Sequence, residues 1–306
     1  MTGYLLYRIM MFISLTFPLR FTYWVALRVA DLHYLFDRRA RECVRKNIRR
    51  ILGAPAPESR VRYETRWTFR HFGKYLGEFF RFDRFDRTFL DQYVRVEEVR
   101  HIDEALKRGK GCIALSAHFT NWELGLCNLA FLGYPVNAIV REHVNPRVND
   151  LFLRQRTGKG IRVFFPGAAV RSCFAALAGN EIVAILGDRD FSGKGIAVDF
   201  FGAKAVFPRG PAHLALRTGA VIIPTFFLRR SNDAFVLRFH PPIAWNPAAD
   251  HETQAREIIE AYARLCEEYI SRDPSLWCVF DDFWGEPMRK ERPLGGFHRK
   301  AVTREA

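Results

Sequence analysis

Apolar and polar positions change their spacing near residue 94. Beyond it, short apolar runs bounded by glycine or polar residues alternate with longer stretches in which apolar residues recur every three or four positions. The first pattern is typical of buried strands and the second of helices with one apolar face. We predict strands at residues 112–116, 136–140, 161–165, 182–186, 221–227 and 234–239, and helices at 168–178, 210–217 and 252–271. This alternation indicates an α/β domain with a mostly parallel central sheet flanked by helices.

Before residue 94 the spacing is helical. Residues 38–50 form a basic segment that ends before Gly53 and Pro55, and residues 62–82 place aromatic side chains on one face. We interpret the first as a basic helix and the second as an amphipathic helix whose aromatic face packs onto a core, with membrane contact as the alternative for that face.

The N-terminal residues are apolar but poorly suited to crossing a membrane. The uncharged run between Arg8 and Arg20 is interrupted by Pro18, and it is about half the roughly 20 residues that a spanning helix needs. We expect residues 1–37 to form a helical segment in the membrane interface, with a buried core helix as the alternative. No small-residue cleavage site follows, which argues against a secretory signal. Residues 38–287 would then form the α/β domain and 288–306 a flexible basic tail.

The chain of 306 residues carries 47 Lys and Arg against 33 Asp and Glu, a net charge of +14. The electrostatic field of such a positive net charge attracts anionic lipid headgroups, phosphorylated substrates, acidic carrier proteins or nucleic acid. The same charge is also compatible with a soluble protein that has a basic surface. No nucleic-acid recognition motif accompanies the charge, so we expect no nucleic-acid partner. The 28 phenylalanines fit a protein that buries acyl chains, or an ordinary aromatic core.

The six cysteines are scattered, without a C-x-x-C pair or a histidine at zinc-ligand spacing. We therefore expect free thiols in a reducing compartment and no metal site. The D-x-D sequence at 188–190 stands without the further carboxylates that a metal ion needs, and the glycine-containing loops lack the spacing of nucleotide-binding motifs.

One segment carries candidate chemistry. The predicted strand 112–116 leads into His118, and Glu123 follows after four intervening residues. Acyl transfer to an alcohol needs a base that removes the hydroxyl proton, and histidine suits this role near neutral pH. A carboxylate on the second ring nitrogen fixes the tautomer and stabilises the imidazolium. We predict His118 as general base and Glu123 as the carboxylate that orients it.

The spacing of this pair constrains the local structure. Positions five apart on one helix differ by about 140° in direction, so His118 must lie in a loop and Glu123 in the first helical turn. Residues 120–123 match a capping box that starts a helix at Thr120. Backbone N–H groups there, and the Asn121 side chain, are candidate donors to the oxyanion of the tetrahedral intermediate. Alternatively Glu123 is only a capping residue, because an isolated H-x-x-x-x-E is common by chance.

Further motifs follow in a consistent order. They are HFTNWE at 118–123, Val140-Arg141 before Asn145-Pro146, Arg156 before Gly158, GDRD at 187–190, FFG at 200–202, Pro208, Gly210, HLA at 213–215, TGA at 218–220, Ile223-Pro224 and the aromatic segment 277–284. Over residues 1–287 this order resembles the lipid A late (lauroyl or myristoyl) acyltransferases of the lysophospholipid-acyltransferase-like superfamily. Glu142 stands at the position where the family has a proline. Arg209 replaces the glutamate of an FPEG-like motif, which argues against a glycerol-3-phosphate acceptor.

The resemblance implies substrate-binding roles for Arg141, Arg156, Asp188 and Asp190. Guanidinium groups bind phosphate and carboxylate oxyanions bidentately, and the two aspartates follow a strand at the edge where open α/β sheets bind ligands. The aspartate pair is expected to support Arg156 or the acceptor site. For Arg141, an ion pair with the adjoining Glu142 is the alternative.

The resemblance also implies an activity. It is direct transfer of a fatty acyl group from acyl-carrier protein or acyl-CoA to a hydroxyl of an anionic lipid A precursor or related glycolipid, at the cytoplasmic face of the inner membrane. The thioester is a co-substrate, so no bound cofactor is expected, and no G-x-S-x-G elbow supplies a serine nucleophile. Lysophospholipid and glycolipid mannoside acyltransferases are alternatives in the same superfamily. A non-catalytic protein that binds anionic lipid is the alternative from another class.

Overall fold

The computed structural model describes residues 2–165 and 169–285. The α-helices are α1 (Thr2–Thr16), α2 (Leu19–Phe36), α3 (Arg38–Leu52), α4 (Glu58–Phe79), α5 (Arg87–Tyr93), α6 (Arg100–Leu106), α7 (Trp122–Phe131), α8 (Pro146–Thr157), α9 (Ala169–Ala178), α10 (Gly210–Thr218) and α11 (His251–Arg272). The strands are β1 (Val94–Glu97), β2 (Cys112–Ser116), β3 (Val136–Ile139), β4 (Arg162–Phe164), β5 (Ile182–Leu186), β6 (Ile196–Phe200), β7 (Ala203–Phe207), β8 (Val221–Arg229) and β9 (Phe235–Phe239). The predicted tail at 288–306 lies outside the described residues.

Seven of these strands form one sheet in the order β1-β9-β8-β2-β5-β3-β4. Every neighbouring pair is parallel except β8 and β9, which are antiparallel. A separate antiparallel hairpin is formed by β6 and β7. The predicted α/β architecture with a mostly parallel sheet is therefore confirmed.

Burial explains which strands the sequence reveals. β2 and β5 coincide with predicted strands because both lie inside the sheet, with helices on both faces, and their sequences are continuously apolar. The sequence did not predict β1, β6 or β7. β1 lies at the sheet edge, and β6 and β7 alternate buried and exposed residues because their hairpin packs on α11 outside the central sheet.

Each face of the sheet carries its own core, because successive side chains of a strand point to opposite faces. On one face, Ile113 and Leu115 of β2 pack with residues of α9, α10 and α11. On the other face, Cys112 and Ala114 pack with residues of α4, α7 and α8. Parallel β2 and β5 thus end side by side at one edge of a sheet that is covered on both faces.

The helices α1 and α2 are separated by Pro18, and α2 packs along α4. The exposed apolar side chains of these two helices, called here the outer apolar face, are Leu5, Leu6, Ile9 and Phe12 on α1 and Phe21, Trp24, Leu32, Leu35 and Phe36 on α2. Within the described ranges, no helix is both long and apolar enough to cross a bilayer. The expected contact of residues 1–37 with a membrane interface remains a prediction.

Two glycines near β2 provide a matched test of its close packing. Gly111 has φ +63°, and a Cβ there would lie 2.5 Å from the Glu181 carbonyl oxygen; Gly109 has φ +70° with open space around it. Gly109→Ala should cost about 1–2 kcal/mol, the cost of a left-handed L-residue. Gly111→Ala should lower the free energy of unfolding by clearly more, because the backbone at Glu181 must also move to make room for the new Cβ. Urea unfolding measures both, and equal losses would contradict the packing argument.

Candidate active site

His118 lies in the loop that joins β2 to α7, at the carboxyl end of a central strand. Its ring Nδ1 lies 2.7 Å from Oδ1 of Asp188, and its backbone N–H donates to Oδ2 of the same carboxylate at 3.0 Å. Asp188 follows β5, which is the strand hydrogen-bonded to β2. Sheet order therefore joins two residues that are 70 positions apart.

Asp188 is fully buried and accepts a further hydrogen bond from Nε1 of Trp277 at 2.9 Å. Burial alone would raise the pKa of this carboxyl. The adjacent His118, with the hydrogen bonds from its ring, its backbone and Trp277, holds the pKa of Asp188 below its ordinary value. An ionised carboxylate at Nδ1 favours the tautomer with a proton there and leaves the lone pair on Nε2. The imidazole is thereby prepared to accept a proton.

The segment after residue 275 holds the His118 loop from one side. Cys278 N–H donates to the His118 carbonyl at 2.8 Å, and Thr120 N–H donates to the Leu276 carbonyl at 2.8 Å. Phe119 and Trp277 form an isolated antiparallel bridge. Because Thr120 N–H is already engaged, it does not serve as the oxyanion donor that the sequence suggested.

Glu123 does not occupy the position that the sequence predicted beside His118. It lies in the first turn of α7, as expected, but its carboxylate is held by Arg156 of α8, with Nε 3.0 and 3.2 Å and Nη2 2.5 Å from its oxygens. Both side chains are buried. Burial alone would lower the pKa of Arg156, and the charge of Glu123 raises it above its ordinary value. Asp188 takes the orienting position on His118 instead.

Asn121, rather than Thr120, caps α7. Its Oδ1 accepts from Leu124 N–H at 2.9 Å, and its Nδ2 donates to Oε2 of Glu78 at 2.7 Å. The residue is fully buried, and it lines neither of the cavities described below. The expectation that its amide contacts substrate is therefore not met.

The two aspartates of the D-x-D sequence separate in the structure. Asp190 accepts hydrogen bonds from Ser192 N–H, Ser192 Oγ and Gly195 N–H at 2.7–3.0 Å, which closes the following loop. Arg189 pairs with Asp281. Asp188 alone therefore belongs to the histidine site, and the expected support of Arg156 comes from Glu123.

A cleft of about 1210 Å³ opens beside His118. Glu123, Arg156 and Arg141 also line it, so the structure brings four of the predicted site residues to one cavity. The guanidinium of Arg141 lies 4.0 Å from the centroid of Phe191 in the cleft wall. The rings of Trp122 and His118 pack in a T-shaped arrangement with centroids 5.0 Å apart. The site is a largely apolar cleft with cationic groups on its wall.

A second cavity of about 70 Å³ lies between α7 and the sheet. It shares lining residues with the main cleft, including Trp122 and Glu123. Its floor contains Ala114, Ala138 and Ala184, which are paired across three adjacent strands.

In the described ranges, no three His, Cys, Asp or Glu side chains are grouped so as to hold a metal ion.

The sequence contained Asp188 and Trp277 but not their relation to His118. The available signal was Asp188 directly after an apolar run, in the same relation to β5 that His118 has to β2. Only the sheet order shows that the two strands are neighbours.

The Glu123–Arg156 pair can be tested by its energetics. Arg156→Met leaves a buried carboxylate without its cation and should lower the free energy of unfolding by about 3–5 kcal/mol. The double variant Glu123→Met/Arg156→Met removes both charges and should recover most of that loss. Urea unfolding of both variants gives the comparison, and a double variant as unstable as Arg156→Met would count against the pairing.

Comparison with known proteins supports an activity. The sequence model of the bacterial lipid A biosynthesis acyltransferase family matches residues 1–285. A phosphatidylinositol mannoside acyltransferase of Mycobacterium tuberculosis is 30% identical over 290 residues, 88% of each chain. One from Mycolicibacterium smegmatis is 25% identical over 262 residues, 82% of each chain. A lipid A biosynthesis acyltransferase of Haemophilus influenzae is 28% identical over 181 residues, 56% of this chain and 55% of its own.

These matches confirm the resemblance and the expected enzyme class. With a family model spanning residues 1–285 and relatives named as acyltransferases, the chain belongs to the bacterial lipid A biosynthesis acyltransferase family and is an O-acyltransferase.

Proposed function

We propose that the protein transfers a fatty acyl group from an acyl thioester to a hydroxyl of an anionic membrane glycolipid, with His118 as general base and Asp188 as the carboxylate that orients it. The observation that carries this proposal is the 2.7 Å contact between His118 Nδ1 and Asp188 beside the cleft. The buried carboxylate holds one ring nitrogen, and the other is left for substrate.

The proposed reaction needs one base. Nε2 of His118 takes the proton of the acceptor hydroxyl as its oxygen attacks the thioester carbonyl carbon. The C–S bond of the tetrahedral intermediate then breaks, and the imidazolium returns its proton to the departing thiolate. Asp188 stabilises the imidazolium between these steps. The products are the acylated lipid and the free thiol of the donor.

The cysteines of the cleft favour direct transfer of the acyl group over a covalent acyl-enzyme intermediate. Cys173 and Cys278 line the cleft, and burial raises the pKa of the Cys173 thiol to about 11 and that of Cys278 to about 12. A thiol is a poor nucleophile until it loses its proton. Neither cysteine therefore suits a covalent intermediate at neutral pH.

The apolar lining suits a fatty acyl chain. Ala114, Ala138 and Ala184 leave the groove between sheet and α7 open where larger side chains would fill it. Gly125 of α7 faces Phe227 on the same cavity wall, where a Cβ would lie 3.0 Å from the phenylalanine side chain. We place the chain end in this small cavity and the thioester carbonyl at its junction with the main cleft.

Two lipids are candidate acceptors. Both candidates are glycolipids with hydroxyl groups: a lipid A precursor and a phosphatidylinositol mannoside. Relatives named for the mannoside match over 82–88% of this chain, whereas the relative named for lipid A matches over 56%. This coverage favours keeping the mannoside as a second candidate acceptor. The basic cleft residue Arg141 suits the phosphate of an anionic acceptor or of the donor.

The outer apolar face supports a position on a membrane, and we propose the cytoplasmic face of the inner membrane. Arg8, Arg20 and Arg28 are exposed on the same two helices. Arginines beside an apolar face can pair with anionic headgroups while their stems contact acyl chains. This arrangement would bring a lipid acceptor to a cleft whose wall includes Tyr4 and Tyr7 of α1.

The catalytic pair predicts the effect of two substitutions. His118→Ala removes the base, and Asp188→Asn replaces an ionised carboxylate by an amide that stabilises the wrong tautomer. Each should lower kcat by about 10³–10⁴-fold. The measurement is acyl transfer from acyl-carrier protein and from acyl-CoA to each of the two glycolipids, with products identified by mass spectrometry.

Asp190→Asn is the matched control, since this carboxylate closes a neighbouring loop and should leave kcat close to the wild-type value. Circular dichroism verifies that each variant is folded. Wild-type transfer rates in folded His118→Ala protein would end the proposed mechanism.

The membrane position is tested on the outer apolar face. Phe12→Ser and Trp24→Ser remove two of its largest exposed side chains and should weaken binding to vesicles that contain anionic lipid, because apolar burial supplies about 25 cal/mol per Å². Vesicle co-sedimentation measures the change. Val206→Ser, at an exposed apolar position of β7, should bind as the wild type does. Equal binding by all variants would exclude this face.

A further inference from the structure

Glu78 of α4 is a fully buried carboxylate that the proposed reaction does not use. Its Oε1 accepts from the Tyr23 hydroxyl of α2 and from Arg229 Nη2 of β8, each at 2.6 Å. Its Oε2 accepts from Asn121 Nδ2 at 2.7 Å. Glu78 therefore joins α2, α4 and β8 to the residue that caps α7.

The Asn121 amide has a fixed orientation. Its Oδ1 accepts from Leu124 N–H at 2.9 Å and caps α7, so its Nδ2 must face Glu78. A flipped amide would lose the cap and would set its oxygen against a carboxylate oxygen. The Glu78 carboxylate thus selects the amide orientation that starts α7 at Trp122.

The loop between His118 and α7 needs such support. Thr120 has φ 58°, in the left-handed region that costs a residue with a side chain about 1–2 kcal/mol. Strained residues persist where surrounding contacts over-determine them. Leu276 and Cys278 hold the loop through its backbone on one side, and Glu78 holds it through Asn121 on the other.

We propose that Glu78 is a positioning residue for acyl transfer: through Asn121 it holds the loop that sets His118 against Asp188 and begins α7. This inference rests on the proposed function of His118. Glu78 itself lines neither cavity, so it acts through Asn121 and does not touch substrate.

A purely structural role would be to tie α2 to α4, and Asp31 of α2 provides the matched control. Asp31 is also a buried carboxylate, and it accepts from Arg66 and Arg70 of α4, each at 2.9 Å. Both carboxylates therefore join the same two helices. Only the hydrogen bonds of Glu78 extend to the residue that caps α7.

The experiment compares Glu78→Gln with Asp31→Asn in the full chain. Glutamine keeps the shape of the side chain, and Arg229 keeps its hydrogen bond to the Asp233 carboxylate at 3.1 Å. If the glutamine oxygen still accepts hydrogen bonds from Tyr23 and Arg229, the glutamine NH₂ group must face the NH₂ group of Asn121. Two donors then oppose each other, and the hydrogen bond to Asn121 is lost. Both variants should have a lower Tm. Only Glu78→Gln should lower kcat, by about 10–100-fold, with KM little changed.

Hydrogen exchange of the amides at 119–124 gives a readout that does not require activity. Exchange should be faster in Glu78→Gln than in the wild type and unchanged in Asp31→Asn. The inference is overturned if Glu78→Gln keeps wild-type kcat or wild-type exchange in this loop, or if Asp31→Asn loses as much kcat. Wild-type transfer rates in His118→Ala would instead refute the proposed function, while the exchange result would still decide whether Glu78 holds the loop.

Discussion

The hydrogen bond between His118 and Asp188 depends on two parallel strands that end side by side. β2 and β5 are paired residue for residue, and Gly187 N–H donates to the Ser116 carbonyl at 2.7 Å just before the two site residues. A Cβ at Gly187 would lie 2.6 Å from the Leu115 side chain, so glycine permits this close approach. The covered sheet excludes water from Asp188, and exclusion of water strengthens its interaction with the imidazole.

Three buried carboxylates organise the surroundings of the site, and each is held by at least one side chain from another part of the fold. Asp188 has His118 and Trp277, Glu123 has Arg156, and Glu78 has Arg229 with the Tyr23 and Asn121 side chains. A buried charge without its partner costs several kcal/mol. The partners therefore favour one arrangement of the helices around the sheet, in which the cleft is complete.

Patterns of apolar residues within single segments of the sequence predicted much of the fold. Continuous apolar runs located β2 and β5, and the three-to-four spacing located α10 and α11 within one residue at each end. The placement of His118 in a loop and Glu123 in the first turn of α7 also followed from the sequence. The edge strand β1 and the β6–β7 hairpin did not, because their polar positions face solvent and interrupt the apolar runs.

The sequence by itself determined the α/β class, the histidine after a buried strand and the family motifs around it, because these depend on residue spacing within single elements. Tertiary structure decided which carboxylate serves His118. Glu123 is nearer in the sequence, yet it faces Arg156 of α8, while Asp188 reaches the ring from the adjacent strand. Spacing along a chain specifies the direction of a side chain on its own helix or strand, but the partner it meets is set by the order in which strands and helices pack.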